Sequence, residues 1–345
     1  MNARAKKLAE RLEEPLIVTT PANVRYLTGF VSSNVALVVE PDRVQLFTDF
    51  RYAEAARAVP DVEFTETRRD MITHMGEFLS GTYGFESPHL TFQNYEQLRD
   101  AGLELVPHAD LIEGLRAVKD EVELETIRRA AAITDEAYRR IAEEPFVGRT
   151  ERELAWRMTE LFHELGADEP AFETIVAAGP NGARPHADPG DRLIEAGTTI
   201  VVDAGATVDG YCSDCTRTFA TGELPGDLRH VYDVCLEAQR AGVEAARSGV
   251  EAKQADAAAR AVIDDAGFGK NFGHGLGHGV GIDVHEAPRV AQTSTDSLVA
   301  NNVVTIEPGI YLEGRGGIRI EDLVVITDGT PEILSSFPKE LVTVG

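Results

Sequence analysis

Residues 272–286 read FGHGLGHGVGIDVHE, and glycine occupies every second position from Gly273 to Gly281. Glycine at this density disfavours a helix, so the two histidines are not a helical zinc motif. The alternation instead predicts an extended strand with one face stripped of side chains, which other backbone can approach closely. The other face would carry His274, Leu276, His278 and Val280. A glycine-rich loop with incidental histidines is the alternative interpretation.

The charge balance restricts the partners. The chain of 345 residues has a formal net charge of −25 at pH 7. Nucleic acid and anionic membranes are therefore not expected as partners, because phosphate binding needs a basic surface. No apolar run is long enough to span a bilayer, and the N-terminus lacks the hydrophobic region of a secretory signal. We expect a cytoplasmic protein of about two domains.

The basic residues are strongly skewed towards arginine. Only six of the 33 basic residues are lysines, and 58 residues are acidic. This composition resembles that of proteins from salt-loving archaea, in which high salt screens the self-repulsion of the acids. An ordinary acidic cytosolic protein is the alternative.

The three cysteines, Cys212, Cys215 and Cys235, do not suggest a metal site or a disulfide framework. Their number is odd, and the C-x-x-C pair has no second pair that would complete a zinc site. We expect Cys212 and Cys215 to be packing residues on either side of a more interesting residue, Asp214.

Hydrophobic periodicity divides the chain into two parts. Strands are predicted at residues 16–19, 35–39 and 44–48, and helices at residues 51–59 and 71–79. Residues 111–141 are rich in helix formers, and Asp120 could cap the helix within them. We therefore predict one domain over residues 1–115 and a second over residues 116–345.

The second domain begins with helices and continues with hairpins. Thr150 and Glu153 form the pattern of a capping box for a helix over residues 150–165, in which Trp156 is expected to be a core residue. After residue 170 the pattern changes to strands and hairpins, with helices predicted at 228–247 and 252–266.

Two aspartates are predicted to converge on one hairpin. Asp209-Gly210 is a strong two-residue turn signal between apolar segments. If these two residues form the turn, Asp203 lies opposite Thr216, and Asp203 and Asp214 become diagonal neighbours on one face. Two buried acids repel each other unless a cation lies between them.

A second hairpin repeats the arrangement with glutamates. Folding about the glycine-rich loop at residues 313–316 brings Glu307 and Glu321 opposite each other, and Arg319 shares the face of Glu321. Four acids and one imidazole in otherwise apolar strands favour Mn, Co, Fe or Zn over thiolate chemistry. Four carboxylates suit two ions that are about 3.5–4 Å apart.

These segments resemble the pita-bread metallopeptidases, the superfamily of methionine aminopeptidase, Xaa-Pro aminopeptidase and Xaa-Pro dipeptidase (prolidase). The matching segments are VVDAG at Asp203, SDCTRT at Asp214, HGLGHGVGIDVHE around His278, TIEPGIY at Glu307 and IRIEDLVVIT at Glu321. Residues 22–30, ANVRYLTGF, and residues 111–130 are similar to the smaller domain and junction helix of creatinase and prolidase relatives. The resemblance implies an α+β protein, in which a smaller α/β creatinase-like N-terminal domain precedes a pita-bread catalytic domain.

The resemblance also implies roles for individual residues. The metal ligands would be Asp203, Asp214, His278, Glu307 and Glu321, holding two divalent ions, with manganese expected and cobalt, zinc or iron compatible. Glu307 would shuttle a proton, His285 would polarise the scissile carbonyl, and His186 would lie near the scissile nitrogen. His274 and Arg319 would line the proline side of the pocket.

The implied activity is hydrolysis of Xaa-Pro bonds in short proline-containing peptides by a homodimer. Dipeptidase activity is the first expectation, and an Xaa-Pro aminopeptidase for longer peptides or an ectoine-hydrolase-like amidohydrolase are alternatives. A dipeptidase would read the free carboxylate of proline through Arg319 or Arg289. A binding protein without catalysis is disfavoured, because such relatives usually lose ligands that this chain retains.

Overall fold

A six-stranded mixed sheet forms the centre of the first of two compact units in the computed structural model, which describes all 345 residues. This unit spans Met1–Arg116. Its strands are β1 (Leu16–Val18), β2 (Val35–Val39), β3 (Val44–Asp49), β4 (Glu63–Thr67), β5 (Thr82–Glu86) and β6 (Glu104–His108). Its helices are α1 (Ala3–Ala9), α2 (Pro21–Thr28), α3 (Ala53–Arg57), α4 (Met71–Met75), α5 (Phe92–Asp100) and α6 (Glu113–Arg116).

The strand order of this sheet is β4-β3-β2-β1-β5-β6. Strands β2 and β3 form the antiparallel hairpin that the apolar runs predict, with Val39 paired to Val44. Apolar side chains of the sheet, such as Val38 and Phe47, pack with Met75 and Leu98 of the helices. The predicted helices at 51–59 and 71–79 are shorter in the structure, at Ala53–Arg57 and Met71–Met75.

The second unit, Ala117–Gly345, combines four long helices with small antiparallel sheets. The helices are α7 (Glu121–Ala142), α8 (Glu151–Glu164), α9 (Gly226–Ala245) and α10 (Ala252–Asp265), with short 3-10 helices at Gly179–Ala183 and Gly269–Asn271. The first strands are β7 (Glu169–Pro170), β8 (Ile175–Ala178), β9 (Thr199–Ala204), β10 (Ala206–Val208), β11 (Tyr211–Cys212) and β12 (Cys215–Ala220). The later strands are β13 (Gly277–Gly279), β14 (Glu286–Val290), β15 (Val303–Ile306), β16 (Gly309–Leu312), β17 (Gly316–Arg319), β18 (Asp322–Val325) and β19 (Glu332–Ile333).

Capping residues fix where the first two helices of this unit begin. The side chain of Asp120 accepts a hydrogen bond from the backbone N–H of Glu123, and Thr150 does the same for Glu153. Both reciprocal glutamate contacts are also present, so the two capping boxes satisfy backbone donors that would otherwise be unpaired. The caps predicted at Asp120 and Thr150 are thus confirmed.

Two predictions about this unit are wrong. Trp156 is not a core residue: it is 64% exposed on α8, where its indole N–H donates to Glu160. Only three residues of the glycine-rich run form a strand, β13, and the pairing with β14 shifts register between His278 and Gly279. Leu276 and Val280 are fully buried in the core, whereas His274 and His278 line a cavity, so the four side chains do not share one environment.

None of the helices combines the length and the apolar composition needed to cross a bilayer.

Cys212 and Cys215 are buried, as expected of packing residues.

Candidate active site

The first hairpin has the register predicted from its turn. Val208 pairs with Tyr211 in β10 and β11, and Asp203 pairs with Thr216 in β9 and β12. Asp203 and Asp214 both face one cavity of the second unit. The prediction that these two acids converge from one hairpin is confirmed.

The second hairpin sets two glutamates opposite each other. Ile306 pairs with Asp322 and Gly309 pairs with Arg319, so Glu307 and Glu321 lie across from one another at the junction of the two ladders. The connecting turn is one residue shorter than predicted, because Gly316 already pairs with Leu312.

Thr216 joins the two hairpins. Its carbonyl accepts a hydrogen bond of 3.1 Å from the backbone N–H of Glu321. Its hydroxyl donates to Oε2 of the same glutamate at 2.7 Å and accepts from Nε of Arg319 at 3.0 Å. The paired strands thus place all four acids around one point.

The glycine run brings a histidine to this point. A Cβ atom on Gly277 would lie 1.9 Å from the carbonyl oxygen of Thr305, so only glycine lets the two strands approach this closely. His278 Nδ1 lies 3.1 Å from the carbonyl oxygen of Gly279. Since a carbonyl only accepts, Nδ1 carries the proton and the lone pair of Nε2 faces the acids, 3.7 Å from Asp214 and 3.4 Å from Glu307.

The cavity has a volume of about 620 Å³ and is lined by every residue that the sequence predicts for the site. These residues are His186, Asp203, Asp214, His274, His278, His285, Glu307, Arg319 and Glu321. Phe172, Ile175 and Val284 supply apolar wall, and Arg289 supplies a second cation.

The arrangement of donor atoms fits divalent cations. One ligand atom each from Asp214, His278 and Glu321 lie within 4.8 Å of one another. Oδ1 of Asp203 is buried and has no hydrogen-bond partner within the protein, and a buried carboxylate oxygen without a partner is costly. Carboxylate oxygens together with one imidazole suit divalent cations. The hydrogen bond from Nδ1 of His278 to the Gly279 carbonyl fixes the orientation of that imidazole.

Burial and crowding shift the pKa values of these acids upwards. Burial, followed by the charges of Glu321 and Asp203, raises the pKa of Asp214 well above its usual range. Burial, followed by the charges of Glu307 and Asp203, also raises the pKa of Glu321 well above its usual range. Burial raises the pKa of Glu307 to about 7, although Arg319 opposes the shift. Carboxylates this close to one another are stabilised as anions when cations lie between them.

A hydrogen-bonded chain lies beside the acids. Arg319 Nη2 contacts Asp203 at 2.6 Å, and Arg319 Nη1 donates to the Tyr311 hydroxyl at 3.0 Å. That hydroxyl is 3.0 Å from Nε2 of His274, whose Nδ1 lies 2.8 Å from the carbonyl of Gly275. Burial lowers the pKa of His274 to about 4, so the ring is neutral and Nε2 accepts from the tyrosine.

Tyr311 is the residue that sequence reasoning missed. Strand alternation offered a signal, because Glu307, Gly309 and Tyr311 are two residues apart and share a face. A Cβ atom on Gly309 would lie 2.3 Å from the Tyr311 hydroxyl, so this glycine leaves the space that the phenol ring fills.

The remaining predicted residues border the same space. The ring centroids of His285 and His278 are 4.2 Å apart, and burial, followed by the proximity of His278, lowers the pKa of His285. His186 reaches the cavity from the loop that follows β8. Arg289 pairs with His278 across β13 and β14, and its guanidinium makes no hydrogen bond or ion pair within the protein.

Comparison with known proteins agrees with the fold. The model of metallopeptidase family M24 matches residues 125–328, and that of the creatinase/prolidase N-terminal domain matches residues 4–118. The chain therefore belongs to metallopeptidase family M24, the pita-bread metallopeptidases, as its motifs predict.

Three relatives illustrate the similarity. The Xaa-Pro dipeptidase of Pyrococcus furiosus is 36% identical over 354 residues, which cover 99% of this chain and 100% of the relative. The structure of an Xaa-Pro dipeptidase from Bacillus anthracis superposes with a TM-score of 0.93 at 34% identity, covering 99% of this chain and 98% of the other. An X-Pro aminopeptidase from Thermotoga maritima gives a TM-score of 0.90 at 33% identity, covering 99% and 100%.

Proposed function

We propose that this protein is a metal-dependent Xaa-Pro dipeptidase that hydrolyses the bond between an N-terminal residue and proline. The observation that carries the proposal is the cavity in which the five predicted ligands, two aspartates, two glutamates and His278, meet beside His186, His285 and Arg319. Curated relatives of nearly the same length are named Xaa-Pro dipeptidases.

The ligands of two divalent ions are proposed to be Asp203, Asp214, His278, Glu307 and Glu321. Such ions supply Lewis acidity and make water nucleophilic at neutral pH. Manganese is the proposed metal, because an oxygen-rich set with one imidazole accepts it readily.

The protein's own side chains are proposed to position the substrate and move the proton. Glu307, which lies 3.4 Å from His278 Nε2, accepts a proton and returns it to the leaving nitrogen. His285, beside the ring of His278, donates a hydrogen bond to the developing oxyanion. His186 orients the proline nitrogen as the bond breaks.

Arg289 is the proposed reader of the free carboxylate of proline. Its guanidinium borders the cavity without an internal partner, whereas Arg319 is already committed to Asp203, Tyr311, Thr216 and the carbonyl of Pro185. A guanidinium binds a carboxylate with two parallel hydrogen bonds, which gives geometric specificity as well as affinity. This contact favours dipeptides, in which proline carries the terminal carboxylate.

A substrate panel tests the proposal. The metal-free protein is reloaded with manganese, cobalt or zinc at high salt and assayed on Ala-Pro, Ala-Pro-Ala and Ala-Ala. We expect hydrolysis of Ala-Pro only after a metal is restored, with Ala-Ala resistant. Full activity of the metal-free protein, or equal rates on Ala-Ala, would contradict the proposed function.

Aminopeptidase activity on longer peptides is the second candidate. The similarity in structure to an X-Pro aminopeptidase favours it, and faster hydrolysis of Ala-Pro-Ala than of Ala-Pro would identify it.

We further propose a cytoplasmic, salt-adapted homodimer, with the N-terminal domain over residues 1–115 and the catalytic domain over residues 116–345.

A further inference from the structure

A fully buried glutamate outside the cavity holds the loop that carries His186. Glu151 is the first residue of α8 and is 1% exposed. No lysine or arginine pairs with it; its carboxylate accepts only from neutral donors. A buried carboxylate without a cation is expensive unless hydrogen bonds satisfy it, so the donors around Glu151 explain why it is tolerated.

Those donors come from both ends of one loop. Oε1 of Glu151 accepts from the backbone N–H of Ala178 at 2.7 Å, at the end of β8. Oε2 accepts from Nδ2 of Asn181 at 2.8 Å and from the backbone N–H of Gly190 at 3.0 Å. We call residues 179–190 the His186 loop. Its two ends meet at the Glu151 carboxylate, and we call this meeting point the neck of the loop.

Further contacts keep the two ends of the His186 loop together. Nδ2 of Asn181 also donates to the carbonyl of Asp188 at 3.3 Å, and the backbone N–H of Arg152 donates to the carbonyl of Gly190 at 3.1 Å. Between these ties, the carbonyl of Pro185 accepts from Nη1 of Arg319 at 3.0 Å. The loop is thus held at its neck by Glu151 and near its tip by Arg319, with His186 next to the tip contact.

We propose that Glu151 is a positioning residue that acts through His186. This inference rests on the proposed function, in which His186 orients the proline nitrogen. The charged carboxylate is required because it presents acceptors to donors on both sides of the neck. Glutamine would turn an N–H₂ group towards one of those sides and set donor against donor. Freed at one end, the loop would hold His186 less accurately over the scissile bond.

The test compares two glutamates in the first turn of the same helix. Glu151→Gln is expected to lower kcat on Ala-Pro by between about tenfold and a hundredfold, because misplacing a positioning group by about 1 Å has effects of this size. Glu153→Gln is the matched control, because Glu153 contacts only Thr150 of its own capping box. The control is expected to change kcat by less than about twofold, since it weakens a helix cap alone. Metal content is expected to be unchanged in both.

A double-mutant cycle separates positioning from general destabilisation. If Glu151 acts through His186, Glu151→Gln costs less than about twofold in a His186→Ala background, because residues that act as a unit are non-additive. An equal loss in both backgrounds, or loss of metal in Glu151→Gln, would overturn the inference. If Glu151→Gln does not fold, Asn181→Ala removes the amide that donates to Glu151 and to the carbonyl of Asp188, while the backbone N–H groups of Ala178 and Gly190 still satisfy the carboxylate. The same pattern is expected with a smaller loss.

Hydrogen exchange provides a readout that needs no substrate. The amides of Ala178 and Gly190 are expected to exchange faster in Glu151→Gln than in wild type or Glu153→Gln. Unchanged exchange would show that Glu151 does not hold the two ends of the His186 loop together. A wild-type protein that is inactive on Ala-Pro would contradict the proposed function, and hydrogen exchange would then decide by itself whether Glu151 holds the loop.

Discussion

Arg319 and Asp203 form a buried ion pair with 2.6 Å between Nη2 and Oδ2, and their side chains are 4% and 14% exposed. The pair comes from two separate hairpins, and the remaining donors of the guanidinium bind Thr216, Tyr311 and the carbonyl of Pro185. A planar cation with several donors therefore orders one of the predicted ligands and the chain of residues that leads to His274.

We expect Arg319→Lys to lower kcat/KM on Ala-Pro by at least about tenfold, because an ammonium keeps the charge but not the fork of donors. Metal content should stay near that of wild type, since every predicted ligand remains. The measurement is steady-state kinetics together with elemental analysis. Arg128→Lys, in the ion pair of Arg128 with Glu332 outside the cavity, is the control, and an equal loss there would contradict a specific role for Arg319.

Replacing Glu321 by Gln should reduce both bound metal and activity. Glu321 is 1% exposed and its ligand atom lies within 4.8 Å of those of Asp214 and His278. Neutralising it weakens the attraction for a cation. Losing a group that only orients a metal ligand costs about ten- to a hundredfold, so we expect the loss of a ligand to lower kcat/KM by at least about a hundredfold. Elemental analysis after dialysis measures the metal, with Glu332→Gln as the control. Retention of full metal content would exclude Glu321 from the ligand set.

Arg289→Gln should raise KM for Ala-Pro while leaving Ala-Pro-amide unaffected, because the amide lacks the carboxylate that Arg289 is proposed to bind. A hydrogen bond to a charged group contributes about 1.5–3 kcal/mol, which corresponds to a factor of about 10 to 150 in KM. Comparing the two substrates in one variant provides the internal control. An equal rise for both would show that Arg289 does not read the carboxylate.

Gly277→Ala is expected to destabilise the second unit by about 3 kcal/mol or more, because overpacking against rigid backbone cannot be relieved by a rotamer change. The added Cβ would lie 1.9 Å from the carbonyl oxygen of Thr305. Gly273→Ala is the matched control, since nothing lies within 4 Å of a Cβ there. Denaturant unfolding of both variants measures the difference, and equal midpoints would refute the close approach of the strands.

Salt should stabilise the protein. With a formal net charge of −25 at pH 7, repulsion among surface acids opposes folding, and a Debye length that shortens from about 10 Å at 0.1 M to about 3 Å at 1 M screens it. We expect the thermal unfolding midpoint to rise between 0.1 and 2 M KCl. A flat or falling midpoint would argue against salt adaptation.

Much of the candidate site could be predicted from the sequence because its hairpins are encoded locally. The turn at Asp209 and Gly210 determines the register that pairs Asp203 with Thr216. The two ladders of the second hairpin share one register, which sets Glu307 opposite Glu321. Capping boxes likewise depend on residues three positions apart, and both predicted caps are present.

Other features depend on contacts between distant segments. Trp156 is a large aromatic residue of a type that is usually buried. Its side chain nevertheless lies on the face of α8 that points away from the core. The glycine run predicts a continuous strand, but only Gly277–Gly279 forms one, and its pairing with β14 shifts register between His278 and Gly279. Local pattern cannot reveal either outcome, because the neighbours that decide it lie elsewhere in the chain.

By itself, the sequence determined which acids converge within each hairpin, where helices begin, and why glycine is needed beside His278, since turn chemistry, alternation and capping act over a few residues. Only the tertiary structure decided that the two hairpins meet through Thr216, that Tyr311 links Arg319 to His274, and that Glu151 closes the neck of the His186 loop. Those contacts join residues far apart in the chain, and they form only when the burial of apolar surface brings whole elements together.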